Sequence, residues 1–227
     1  MKDISFFKKV LEIYDIFHPG IPLLFLYLNF DHFLTQTVET LMGSLFTSVL
    51  LLQMLRFALV GNFMMVYMFF IDFFVHKRIF FLHIKNMFII VLYFILACFF
   101  VHVFIIFYGA PVMTYVWETA LCALHLTILG IFPLICVFGI DTEKYVQLFS
   151  FELDLRIFQN FKLTAGFLGT FIGAWLGAIP IPLDWDRLWQ KWPIPVVVGG
   201  YSGYALSIVA LLFVYSKEKN PIFKKLK

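Results

Sequence analysis

Apolar residues in this chain run in long blocks separated by short clusters of charge, and they do not alternate with polar residues at the strand period. A helix needs about 20 mainly apolar residues to cross a hydrocarbon core of about 30 Å. Blocks 87–108 and 196–215 meet that length cleanly. Block 113–140 is long enough although Glu118, His125 and Pro133 interrupt it, and block 161–181 ends between Pro180 and Pro182. Region 41–75 would reach about 52 Å as a straight helix at about 1.5 Å per residue, too long for one crossing and too short for two. Gly61 and Asn62 offer it a bend, and Asp72 marks its exit from hydrocarbon. The first block, 21–34, is short and carries Asn29, Asp31 and His32, so its span borrows residues from before Pro19. The expected architecture is all-α: a polytopic integral membrane protein of about six transmembrane helices, with spans near 14–34, 41–71, 87–108, 113–140, 161–181 and 196–215. They form one domain over 1–227, with no soluble domain. Ahead of them Ile4, Phe7, Leu11 and Tyr14 recur at helical spacing opposite Lys8, Lys9, Glu12 and Asp15, the pattern of a helix lying on a membrane surface.

Composition sharpens this picture. Of 227 residues 62% are hydrophobic and only 14% charged, against roughly 25% charged in soluble domains, which excludes a water-soluble enzyme. Charge then orients the bundle. With six spans, fourteen of the seventeen Lys and Arg residues fall on the side of the termini, Arg187 and Lys191 fall on the other, and Arg56 lies within the second span. The positive-inside rule makes both termini cytosolic. The same clustering is a topology signal and not a nucleic-acid footprint. The first fifteen residues mix acids with lysines, unlike a cleaved signal peptide. Cys98, Cys122 and Cys136 lie in apolar blocks without metal-site spacing and read as small hydrophobes.

Three features can carry function. Gly169, Gly173 and Gly177 continue from Ala165 at four-residue intervals, and Gly199, Gly203 and Ser207 repeat the spacing in the last span. Such ridges let helix backbones approach closely, either with each other or with a helix of another subunit. Between them lies a stretch rich in Trp and Pro, 179–195. If 185–192 form two helical turns, Trp185, Leu188, Trp189 and Trp192 share one face, Asp186, Arg187, Gln190 and Lys191 share the other, and Asp184 serves as N-cap. This is an interfacial anchor or a recognition surface for a partner or lipid headgroup. Glu118 and His125 lie two helical turns apart on one face with Cys122 near the same line, which suits an interhelical hydrogen bond, a proton relay or a headgroup site. Arg56, Asn62 and His102 fit snorkelling or interhelical bonding. No HExxH, GxSxG or P-loop is present, so no catalytic residue, metal ligand or cofactor site is assigned.

Two blocks resemble the phosphatidylinositol-glycan biosynthesis class F family. One is Tyr108-Gly-Ala-Pro111 with Glu118-Thr119 and segment 133–139. The other runs from Gly173-Ala-Trp-Leu-Gly-Ala through Ile179-Pro-Ile-Pro-Leu-Asp-Trp-Asp-Arg187 to Trp189-Gln190 and Trp192-Pro-Ile194. The matching blocks lie in the second half of the chain. Leu188 stands where the family pattern has proline and Asp186 where glutamate is common. The resemblance implies a non-catalytic subunit in the endoplasmic reticulum membrane that binds and stabilises the GPI ethanolamine phosphate transferases, whose own chains hold the metal and nucleophile. Its other partners would be membrane lipids, with the GPI precursor as a candidate. Lys224 and Lys225, in the ending Lys-Lys-Leu-Lys, look like a dilysine retrieval signal or enforce topology. Two other readings stand beside this one. An integral-membrane lipid transferase would use Glu118, His125 and Asp184 or Asp186, and a lipid transporter would move its cargo unaided.

Overall fold

A computed structural model of the chain describes residues 20–44, 77–139, 141–150 and 158–219. Among these residues the architecture is helical throughout, with no strand. Three short helices come first: α1 (Gly20–Leu28), α2 (Phe30–Thr35) and α3 (Thr37–Ser44). The long α4 (Lys77–Phe107) follows. Then α5 (Val116–Leu126) runs through one π-helical turn (Thr127–Ile131) into α6 (Phe132–Phe138). A short α7 (Thr142–Phe149), then α8 (Phe158–Ala178) and α9 (Ile194–Lys219), complete the described chain.

Among the described residues three segments are long and apolar enough to cross a membrane: Phe88–Phe107, Val116–Phe138 and Ile194–Val214. They coincide with three expected spans. Helix α8 has a span's length in 21 residues and carries four glycines and two threonines. The expected span 41–71 lies outside the described residues beyond Ser44, as do the surface helix ahead of Pro19, Arg56, the bend at Gly61 and Asn62, Asp72, and Lys224 with Lys225. The described part of span 14–34 is not one straight helix. It breaks at Asn29, whose side-chain amide donates to the Phe25 carbonyl at 2.9 Å, and again at Gln36. Of the polar residues that shortened this apolar block, Asn29 marks a helix end, while Asp31 and His32 lie within α2. The chain then turns back so that α3 packs on α1 and on α5, while α1 packs on α9.

The core forms where these short helices meet α5 and α9. Phe33 and Leu41 are fully buried with Cys122, Leu129, Val197 and Tyr201. A smaller cluster of Leu134, Phe138, Leu148 and Leu163 closes the far end, where α7 lies under α6 and α8. Here α7 supplies amphipathic turns, with Tyr145 donating to the Gly139 carbonyl at 3.2 Å and Lys144 paired with Asp141 at 3.2 Å. The π-helical turn immediately precedes Pro133, a residue that supplies no amide hydrogen to an α-helical ladder and crowds the preceding turn. Widening the helix there accommodates the proline without ending the span.

Among the described residues the α8–α9 hairpin is the tightest packing. The carbonyl of Gly199 occupies the space a Cβ on Gly173 would need, and the carbonyl of Gly173 does the same to Gly199. Gly203 and Gly169 repeat the relation, and the Pro195 carbonyl fills it for Gly177. Any side chain in this seam meets backbone, which cannot swing aside. Gly200, one residue round the helix, faces α5, where a Cβ would stand 2.7 Å from Leu126 Cδ2.

Candidate functional site: the tryptophan-bearing rim and the buried histidine

The turn after α4 (108–115) and the turn between α8 and α9 (179–193) lie at the same end of the bundle, joined by one hydrogen bond. Trp192 Nε1 donates to Thr119 Oγ1 at 2.9 Å, and that hydroxyl donates onward to the Tyr115 carbonyl at 2.8 Å. Thr119 is buried in the first turn of α5, so this relay fixes the loop to the start of that helix.

The loop itself is not the expected pair of helical turns. Only Leu188–Gln190 coil, as a single 3-10 turn, and Asp186 sits at φ 47, in the left-handed region that a continuing α-helix excludes. Asp184 does not cap the turn. Arg187 takes the N-cap place, its amide donating to Gln190 Oε1 at 2.9 Å. The shared tryptophan face accordingly divides. Trp192 turns inward against the core, Trp185 and Leu188 are exposed, and Trp189 is half-buried with its ring centroid 5.9 Å from that of Trp185. Asp184, Asp186, Arg187 and Lys191 are exposed.

Gln190, expected on the polar face, is buried and organises the loop. Its Nε2 donates to the Pro180 carbonyl at 2.7 Å and to the Leu183 carbonyl at 2.8 Å, while its Oε1 takes the Arg187 amide. One side chain thus binds three backbone groups, adding to the bonds that the Pro180 and Leu183 carbonyls accept from the Leu183 and Trp185 amides. A sequence signal existed in the capping-box spacing, with Gln three residues after the N-cap position.

His125 lies deeper, fully buried where three elements meet. Its Nδ1 is 2.9 Å from the Tyr201 hydroxyl on α9, and its Nε2 is 3.1 Å from the Leu41 carbonyl and 3.4 Å from Ser44 Oγ on α3. A carbonyl oxygen only accepts, so Nε2 carries the proton and Nδ1 accepts from the tyrosine; a neutral imidazole satisfies both bonds. This is the interhelical hydrogen bond among the alternatives for His125. Leu41, Ser44 and Tyr201 were not singled out in the sequence, since nothing local links them to position 125. Glu118 shares the helix but not this node. It is half-buried in the first turn of α5, about 10 Å along the axis at about 1.5 Å per residue, where the positive end of the helix dipole favours a carboxylate. The five glycines Gly169, Gly173, Gly177, Gly199 and Gly203 all lie in the α8–α9 seam, so that ridge is covered by the chain's own helix. Among the described residues no three of His, Cys, Asp or Glu come together as a metal site would require.

Comparison with known proteins adds to this geometry. The sequence model of the GPI biosynthesis protein family Pig-F matches residues 17–211. The GPI ethanolamine phosphate transferase, stabilizing subunit, of Homo sapiens is 37% identical over 134 residues, covering 59% of this chain and 61% of that protein. Glycosylphosphatidylinositol anchor biosynthesis protein 11 of Neurospora crassa is 42% identical over 110 residues, 48% of this chain and 39% of the relative. Its counterpart in Candida albicans is 44% identical over 112 residues, 49% and 42%. The chain therefore spans between 39% and 61% of the length of these curated relatives. No solved structure matches it.

Proposed function

The chain belongs to the GPI biosynthesis protein family Pig-F, and on that premise we propose that it is a non-catalytic membrane subunit that binds and stabilises GPI ethanolamine phosphate transferases. The observation that carries this reading is the name of the human and mouse relatives, each 37% identical over more than half of the chain and each a stabilizing subunit of that transferase. In this reading the protein resides in the endoplasmic reticulum membrane with both termini cytosolic and the tryptophan-bearing rim in the lumen. The transferase chains, and not this one, perform the phosphoryl transfer. The geometry supports a scaffolding role: buried His125 joins α3, α5 and α9, and buried Gln190 organises the rim loop. Because α9 covers the glycine ridge of α8, the transferase contact falls on other faces.

Depletion of the chain from cells tests this directly, with transferase abundance measured by quantitative immunoblot and ethanolamine phosphate addition measured in microsomes. The expected result is loss of both, restored by re-expression. Transferase abundance and activity that stay at their starting levels would sink the proposal, and turnover by the purified chain alone would make it an enzyme.

A further inference from the structure

All five tryptophans of the chain, Trp117, Trp175, Trp185, Trp189 and Trp192, lie at one end of the bundle. Trp117 is the second residue of α5, and Trp175 lies three residues before the end of α8, about 4.5 Å along the axis at about 1.5 Å per residue. The other three belong to the latched loop. Two apolar spans begin at this level, one at Val116 and the other at Ile194. The headgroup layer on each side of a bilayer is about 5–7 Å thick, from a total of about 40–45 Å around a core of about 30 Å. Trp117 and Trp175 therefore lie within about one headgroup layer of the helix ends that adjoin the loop, where hydrocarbon gives way to polar lipid.

Their exposure fits the same place. Trp117, Trp175 and Trp185 are more than half exposed, and they are carried by three separate elements, α5, α8 and the loop. An indole has a large apolar body and one N–H donor, the combination favoured between acyl chains and phosphates. Arg187 and Lys191 stand exposed in the same loop and supply cations for phosphate oxygens. The described Lys and Arg residues otherwise lie on α4, α7, α8 and α9 toward the other end.

The geometry points to a lipid-headgroup surface: the rim seats in the phospholipid headgroup layer of one leaflet and sets the depth of α5, α8 and α9 together, with Gln190 and the Trp192–Thr119 bond holding the loop tryptophans at that level. The inference is independent of whether the chain stabilises a transferase. Intrinsic fluorescence tests it well, because every tryptophan reports from the same end. The full-length chain is reconstituted in phosphatidylcholine vesicles containing phosphatidylcholine spin-labelled at carbon 5, 12 or 16 of the acyl chain, and tryptophan quenching is compared. The expected profile is strongest quenching by the carbon-5 label and a steady loss toward carbon 16. In Gln190→Ala the depth contrast flattens as the loop tryptophans lose their common level. Strongest quenching from carbon 16 in the parent chain would overturn the proposal, as would insensitivity to all three labels with full quenching by aqueous iodide, which places the rim in water. Insensitivity to both lipid labels and iodide would also overturn it, since the tryptophans would then be enclosed by protein.

Discussion

Helix α4 and the α8–α9 hairpin solve the same problem in opposite ways. The span within α4 is the most apolar of the three, yet only 11% of an 18-residue window in it is buried, against 67% of such a window in the span that runs through α5 and α6. Its large side chains, Phe88, Phe99, Phe100, Phe104 and Phe107 among them, point outward. Helix α8 is less apolar and, among the described residues, packs closest, backbone against backbone. In water the greasiest helix would be the most buried. In lipid, apolar surface has no reason to leave its surroundings, and helices associate through close packing and hydrogen bonds. Burial in this molecule follows shape and polarity, and hydropathy says only which residues can face hydrocarbon.

Breaking the seam has the largest expected effect. In Gly173→Ala the new methyl group overlaps the Gly199 carbonyl and lies 2.8 Å from Gly203 Cα, so the helices must part. We expect a loss of about 3 kcal/mol, the upper part of the usual overpacking range, read from the unfolding of purified chain in mixed detergent micelles. A variant as stable as the parent would show that the seam is not what holds the hairpin.

The histidine node comes next. His125→Leu leaves the Tyr201 hydroxyl buried without its histidine partner and takes one of two donors from the Leu41 carbonyl, which keeps the Ser44 hydroxyl, at an expected cost of about 2 kcal/mol. Adding Tyr201→Phe removes the orphaned hydroxyl, so the double variant should lose less than the sum of the two single ones in the same unfolding assay. Strict additivity would mean that the two side chains are not coupled. The rim latch is worth less. Trp192→Phe keeps most of the ring but forfeits the bond to Thr119, an expected loss of about 1 kcal/mol, accompanied by faster amide exchange in 183–192. Unchanged exchange there would show that the latch does not order the loop.

These sites differ in how far the sequence discloses them. The glycine seam is legible because its cause is periodic: small residues every four positions on two neighbouring helices define matching ridges. Three spans are legible for the same kind of reason, since their apolar blocks are long. The break of the first span was signalled by Asn29 but not its course, because the return of α3 onto α5 depends on contacts far along the chain. The rim was misread where a short periodic pattern stood in for a helix. Eight residues between prolines are too few for periodicity to outweigh local bonds, and Gln190 with a left-handed Asp186 produces a turn that buries the glutamine and divides the tryptophans. The partners of His125 were hidden for a simpler reason: positions 41 and 201 lie 84 and 76 residues away, and no local rule joins them.

The smallest expected effect completes the contrast on α4. Phe99 is 61% exposed, and in lipid or detergent its ring exchanges one apolar neighbour for another. Phe99→Leu should therefore change the stability of the isolated chain by no more than about 0.5 kcal/mol, the usual range for exposed positions, although the same truncation inside a soluble core would be felt. The unfolding assay used for Gly173→Ala gives the direct comparison. A loss as large as that of the glycine variant would mean that α4 is held by packing as α8 is, and the distinction between the two helices would fail. If Phe99→Leu leaves the isolated chain intact but lowers transferase abundance in cells, the exposed face of α4 acts on something other than this chain's own fold.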